Sequence, residues 1–123
     1  MKSQINLITI WTDNIKVMKD FYSAVLGFKT KNELDSYVEF ENPGARFAIC
    51  TRDVMFSHNI TYKEKAAGQS FELANPNDVY ESFKKLISLG ATHIHEPENM
   101  PWNQRIALLA DPDGNIHEIF DGL

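Results

Sequence analysis

The chain is poor in cysteine: Cys50 stands alone among 123 residues. No internal disulfide can form, and a reducing, cytoplasmic setting is the expected one. Basic charge is also short, because 12 Lys and Arg against 17 Asp and Glu leave a net charge of -5. No basic run or cationic helix face offsets that balance, which argues against nucleic acid as a partner. Nothing in the composition indicates a membrane span or disorder, with 43% hydrophobic and 24% charged residues. The start, Met1-Lys2-Ser3-Gln4, runs into an apolar stretch too short for a signal-peptide core. The protein is therefore expected to stay where it is made. A Gly-rich phosphate loop and a serine or cysteine hydrolase motif are both missing. The length fits one domain across 1–123, able to bury a core without disulfides or metal staples.

The most informative stretch is close to the end, Asp111-Pro112-Asp113-Gly114-Asn115 followed by Ile116-His117-Glu118-Ile119-Phe120. Pro112 fixes one turn dihedral, Gly114 supplies a positive φ, and the Asp and Asn side chains can hold the local backbone. Behind the turn the residues alternate. Ile116, Glu118 and Phe120 fall on one face of a strand, His117 and Ile119 on the other. A carboxylate between two apolar neighbours is costly to bury unpaired, so Glu118 is expected to face a cleft.

From the beginning, Ile5 to Trp11 (INLITIW) reads as a strand, with Leu7, Thr9 and Trp11 on one face and Ile8 and Ile10 on the other. Thr12-Asp13-Asn14 offers helix caps, and Ile15, Met18, Phe21, Tyr22 and Val25 recur at helical spacing as far as Gly27. Two short strands are expected between Phe28 and Phe40, then a turn at Asn42-Pro43-Gly44 and a fourth strand from Arg46 to Cys50.

After a polar connector the order repeats. Ser70 to Leu73 reads as a strand, and Asn75-Pro76-Asn77-Asp78 opens a helix with Val79, Tyr80, Phe83, Leu86 and Ile87 on its apolar side. Thr92 to His95 is expected to be a strand, Glu96 to Asn103 a loop, Arg105 to Ala110 a strand, and Asn115 to Phe120 the last. Two βαβββ modules, about 4–52 and about 69–121 with a connector at about 53–68, make an internal repeat. The fold class is α+β, with a helix covering one face of each curved mixed sheet while the other face lines something else.

The helix stretch Asp13-Asn14 through Met18, Phe21-Tyr22 and Val25-Leu26-Gly27-Phe28 resembles the vicinal oxygen chelate superfamily, the glyoxalase and bleomycin-resistance proteins. So do Phe71-Glu72-Leu73 with Asn75-Pro76, the loop Pro101-Trp102-Asn103-Gln104-Arg105, and the closing turn with Glu118. The resemblance implies paired modules around a cleft, usually in a homodimer. In the metal-dependent members each module gives one ligand from its first strand and one from its fourth. Those positions fall here on Leu7, Ala48, Gly68 and Glu118. Three of the four offer no lone pair to a divalent cation, and a two-residue shift in the second module would offer only Ser70.

The expectation is thus a metal-independent protein without a cofactor that binds a small molecule, such as a drug or toxic metabolite, in a dimeric cleft. The alternative is a glyoxalase-like lyase or dioxygenase, metal-dependent or using Glu118 as general base; a scaffold with an occluded cleft is a third reading. The candidate ligand-binding residues are Leu7, Thr9, Trp11, Ala48, Cys50, Gly68, Ser70, Trp102, Arg105 and Glu118. The two tryptophans would supply flat walls. Cys50 shares the parity of Ala48, although a lone cysteine is commonly a small core residue. Arg105 is expected to pack the turn, with pairing to Glu118 or Asp111, or holding an anion, as the alternatives. His93 and His95, two apart, are expected on one strand face, turned to solvent, while His58 lies in the connector.

Overall fold

The structure is a computed structural model and describes residues 4–52, 70–73 and 78–122. The chain divides into two compact units, Met1–Ala66 and Ala67–Leu123. The connector expected at about 53–68, with Gly68 and His58, lies outside the described residues, as do Asn75, Pro76 and Asn77.

The first unit contains β1 (Leu7–Thr12), α1 (Ile15–Asp20), β2 (Thr30–Glu33), β3 (Tyr37–Phe40) and β4 (Arg46–Thr51). The sheet order is β1-β4-β3-β2, with β1 and β4 parallel and the other pairs antiparallel. A parallel pair cannot be closed by a tight hairpin, so the chain between β1 and β4 crosses over through the helix before meandering back. Ile10, Val38, Phe40, Phe47 and Ile49 are buried on the helix side together with Met18, Phe21 and Tyr22. Tyr22 is the hub of that core: its ring lies 5.1 Å from Phe47, 5.9 Å from Phe40 and 6.1 Å from Phe28. Such aromatic pairs add to the stabilisation from buried area.

The continuous α-helix expected up to Gly27 is corrected. After Asp20 the chain widens into a π-turn over Phe21–Val25, closed by the Leu26 N–H donating to the Phe21 carbonyl at 3.1 Å. The extra residue in the turn accommodates two large sequence neighbours, Phe21 and Tyr22, both buried. Nor does the Asn14 side chain cap the helix. Instead the Asn14 backbone N–H donates to the Thr12 hydroxyl at 3.0 Å.

The second unit contains β5 (Glu72–Leu73), α2 (Val79–Ser88), β6 (Thr92–Met100), β7 (Gln104–Ala110) and β8 (Ile116–Gly122), in sheet order β5-β8-β7-β6. It repeats the first topology, with β5 and β8 parallel. Asp78 caps α2, its Oδ1 accepting from the Tyr80 and Glu81 N–H groups, while Asp121 on β8 accepts from Val79. Val79 and Phe83 are buried under the helix; Tyr80, expected on the apolar side, is instead half exposed and carries the Arg105 guanidinium over its ring.

Two further expectations are corrected on β6. The loop expected from Glu96 is a continuation of the strand as far as Met100. Pro97 is tolerated because β6 is the edge strand and the register skips between His95 and Glu98. A second skip between His93 and His95 puts His93 opposite Leu109 and His95 opposite Leu108. The two histidines therefore do not share a face, since a bulge breaks the alternation that a spacing of two assumes. His93 packs edge-on against Phe83 of α2.

No helix among the described residues is long and apolar enough to cross a membrane.

Candidate functional site

In the first unit the face turned away from α1 is built from alternate residues of three strands. The register pairs Leu7 with Arg46, Thr9 with Ala48 and Trp11 with Cys50, and on the other side of β4 pairs Ala48 with Glu39 and Cys50 with Tyr37. Five of the residues proposed from the sequence, Leu7, Thr9, Trp11, Ala48 and Cys50, are thus brought together on one face. Their exposure differs across it: Leu7 and Trp11 are open, whereas Ala48 and Cys50 are buried. The Cys50 thiol lies 3.5 Å from the Thr51 carbonyl.

The same face carries a charged constellation that the sequence reasoning missed. Glu39 is 4% exposed, yet it is a carboxylate in the middle of a strand. Arg46 grips it with two bonds, Nε to Oε2 at 3.0 Å and Nη2 to Oε1 at 2.7 Å. The Tyr37 hydroxyl donates to Oε1 at 3.3 Å, and the Lys31 ammonium lies 3.9 Å from Oε2. The Arg46 bonds hold the Glu39 carboxyl below the usual carboxylate range, against the opposing effect of burial. Burial, followed by the neighbouring Glu39 charge, pushes the Tyr37 phenol up. The sequence carried little signal for it: Val38 and Phe40 fall on the opposite strand face, so a Glu between them reads as ordinary alternation.

In the second unit, the closing turn is held as its residues suggest. Asp111 Oδ1 accepts from the N–H groups of Asp113 and Asn115 at 3.0 and 2.9 Å, and Oδ2 accepts from the Asn115 amide at 2.7 Å. Gly114 takes φ 88. The strand that follows alternates, with His117 and Ile119 buried and Glu118 half-buried on the opposite face. The neighbours of Glu118 are Glu72 on β5 and Leu108 on β7. Ser70 is exposed just before β5.

His117 belongs to the core. Its Nδ1 accepts from the Phe71 N–H at 3.0 Å, and the two rings stack 4.7 Å apart and nearly parallel. Nε2 lies 4.0 Å from Asp111 Oδ2. Burial pulls the imidazole below its ordinary value, opposed by the Asp111 charge.

Arg105 pairs with neither Glu118 nor Asp111, the two partners that the sequence leaves open to it. Strand parity turns it to the helix side, where Nε donates to Asp121 Oδ1 at 3.0 Å. Trp102 stands at the β6–β7 turn, 60% exposed, its indole N–H donating to the Gln104 amide oxygen at 2.8 Å. The adjacent Asn103 adopts φ 62 and lets the turn close.

The metal that the superfamily resemblance implies does not fit this donor set. Leu7 and Ala48 on adjacent strands present only carbon, and Gly68 has no side chain, which leaves Glu118 as the one oxygen donor of the four positions. Among the described residues no group of three or more His, Cys, Asp or Glu side chains is placed to hold a metal ion.

A family model described as glyoxalase-like domain matches residues 5–123. No curated protein matches the chain. A solved glyoxalase/bleomycin resistance protein/dioxygenase from Nocardioides superposes with a TM-score of 0.80 at 21% identity, over 100% of this chain and 85% of that one. A member of the glyoxalase/bleomycin resistance protein/dioxygenase superfamily from Sphaerobacter thermophilus is 28% identical, with a TM-score of 0.67 and 97% of each chain covered. The lactoylglutathione lyase of Agrobacterium tumefaciens is 20% identical, with a TM-score of 0.73 over 99% of this chain and 96% of that one. At about one residue in five, the first and third of these likenesses concern the fold alone. Repeated βαβββ topology and a family match from Ile5 to the final residue place this protein in the glyoxalase-like domain family of the vicinal oxygen chelate superfamily.

Proposed function

We propose that the protein is a metal-independent binder of small, partly planar molecules, working as a homodimer in the cytoplasm. One observation carries the reading: on the adjacent strands β1 and β4 the two metal-ligand positions of the first sheet are held by Leu7 and Ala48, whose side chains offer carbon where a metal needs a lone pair. Trp11 on the first sheet, at 40% exposure, and Trp102 at the β6–β7 turn, at 60%, are each a flat surface on which a planar molecule can stack. In support of a dimer, β1 is an edge strand that exposes both Leu7 and Trp11, a surface that pairing with a second copy would cover.

Elemental analysis of freshly purified protein, joined to tryptophan fluorescence against a panel of planar aromatic drugs, tests it. The expected result is no stoichiometric transition metal and saturable quenching by at least one compound. Trp102→Ala should weaken that compound by roughly 1 to 3 kcal/mol, the loss typical of an aromatic anchor. A metal held stoichiometrically and lost in Glu118→Gln would overturn the reading. Lyase or dioxygenase chemistry fits the same superfamily and is separated by the same variant. With Glu118 as general base, binding survives the change to Gln and turnover falls by roughly 100-fold or more. Sedimentation showing a monomer at micromolar concentration would remove the dimer.

A further inference from the structure

The first unit also holds an open groove of about 700 Å³, within the size range of small-molecule sites. It lies where the chain leaves the π-turn and passes the β3–β4 turn, and none of its lining residues was selected from the sequence as a site. Leu26, Phe28 and Pro43 give it an apolar wall, while Lys29, Lys31 and Arg46 give it positive charge. Two carboxylates also line it, Glu39 and Glu41. Glu39 is buried and already bound by Arg46, so its charge is largely spent inside the protein. Three cations against two carboxylates make the groove locally positive in a chain with a net charge of -5.

From this we infer a binding site for an organic anion, its apolar body against Phe28 and Pro43 and its carboxylate between Lys29, Lys31 and Arg46. The grip of Glu39 on Nε and Nη2 fixes the direction of the Arg46 guanidinium, whose side chain is still 48% exposed at the groove. A cation held in place before binding loses less side-chain freedom when the anion arrives. Lys29 and Lys31 are both exposed, flank one position on β2 and can close on the anion from the solvent side. An anion suits the groove better than a cation, because outside the Arg46–Glu39 pair a cationic ligand would meet two like charges, Lys29 and Lys31, and find only Glu41. Arg46 also stands beside Leu7 on the sheet face described above, but Leu7, Thr9, Trp11, Ala48 and Cys50 do not line the groove, so the site would stand if those five residues bound nothing.

The test is an amide-resolved NMR titration of the intact chain with 2-naphthoate and with its neutral counterpart 2-naphthalenemethanol. Shifts should concentrate at 26–31 and 39–46, and 2-naphthoate should bind more tightly and lose affinity as salt is raised. Lys29→Gln with Lys31→Gln should weaken it by roughly tenfold, the sum of two solvent-exposed ion pairs. Lys16→Gln with Lys84→Gln changes the net charge equally at two exposed lysines outside the groove and should leave the affinity unchanged. Equal affinity for the neutral compound, equal weakening by the two double variants, or shifts confined to other residues would each overturn the assignment.

Discussion

Lowering the pH from 8 to 5 should destabilise the second unit through His117, and the structure fixes the sign. His117 is fully buried, its Nδ1 is an acceptor for the Phe71 N–H, and burial depresses its pKa in the folded state. The unfolded chain, with an ordinary histidine near pH 6.5, therefore binds the proton first. Stability rises with pH wherever the unfolded state holds more protons, so the contribution is complete above about pH 6.5 and is lost as the pH falls below it. The loss stops at the depressed folded-state value, where both states carry the proton. Within the window one proton gives a limiting slope of about 1.4 kcal/mol per pH unit. Protonation at Nδ1 would also set two donors against each other, the ring N–H and the Phe71 N–H 3.0 Å away. The facing carboxylate, Asp111, works the other way and reduces the shift. Urea unfolding at pH 8, 7, 6 and 5, with exchange of the Phe71 amide as local readout, measures the effect. His117→Asn provides the control, because its side-chain oxygen can still accept from Phe71 while carrying no titrating group. The difference between the two proteins cancels the exposed histidines. A wild-type stability that is level or rises on acidification through pH 6.5, or a slope that persists in His117→Asn, would refute the reasoning.

Phe47→Ala should cost about 3 to 5 kcal/mol by urea unfolding, since it removes a ring packed on both Tyr22 and Phe40 and leaves a cavity among residues that are themselves buried. Glu39→Gln should flatten the acid limb of the stability profile. The carboxyl is held low by Arg46, so in wild type its contribution is present above about pH 4.5 and is lost as pH falls through the depressed value. A variant with an unchanged acid limb would show that the pair does not contribute. Asp78→Ala, which strips two N–H groups at the start of α2 of their acceptor, should lower stability by about 1 kcal/mol, checked by the urea midpoint. A loss near zero would mean that Asp121, through Val79, is enough to hold the helix start.

The sequence by itself determined the repeat, and with it the fold class. Alternation in β1, β3, β4 and β8 separates helix-facing from open residues because a strand has a period of two, and the burial of Ile10, Val38, Phe47, His117 and Ile119 follows that parity. The turn chemistry at Asp111 to Asn115 was equally legible, since each bond in it is local. Parity also brought Leu7, Thr9 and Trp11 onto the face that carries Ala48 and Cys50. Register and partner choice were not legible, because they depend on which strands meet. The skips in β6 that part His93 from His95 come from its pairing with β7, and the edge position that admits Pro97 is a property of the whole sheet. Arg105 turned to Asp121, sixteen residues away, because both lie on the helix side of paired strands. The bidentate grip on Glu39 likewise required the antiparallel β3–β4 pair, which carries Arg46 alongside a carboxylate seven residues before it in the chain. Tertiary structure decided these, because a charged side chain takes the nearest partner that burial allows, and nearness in space is not written in spacing along the chain.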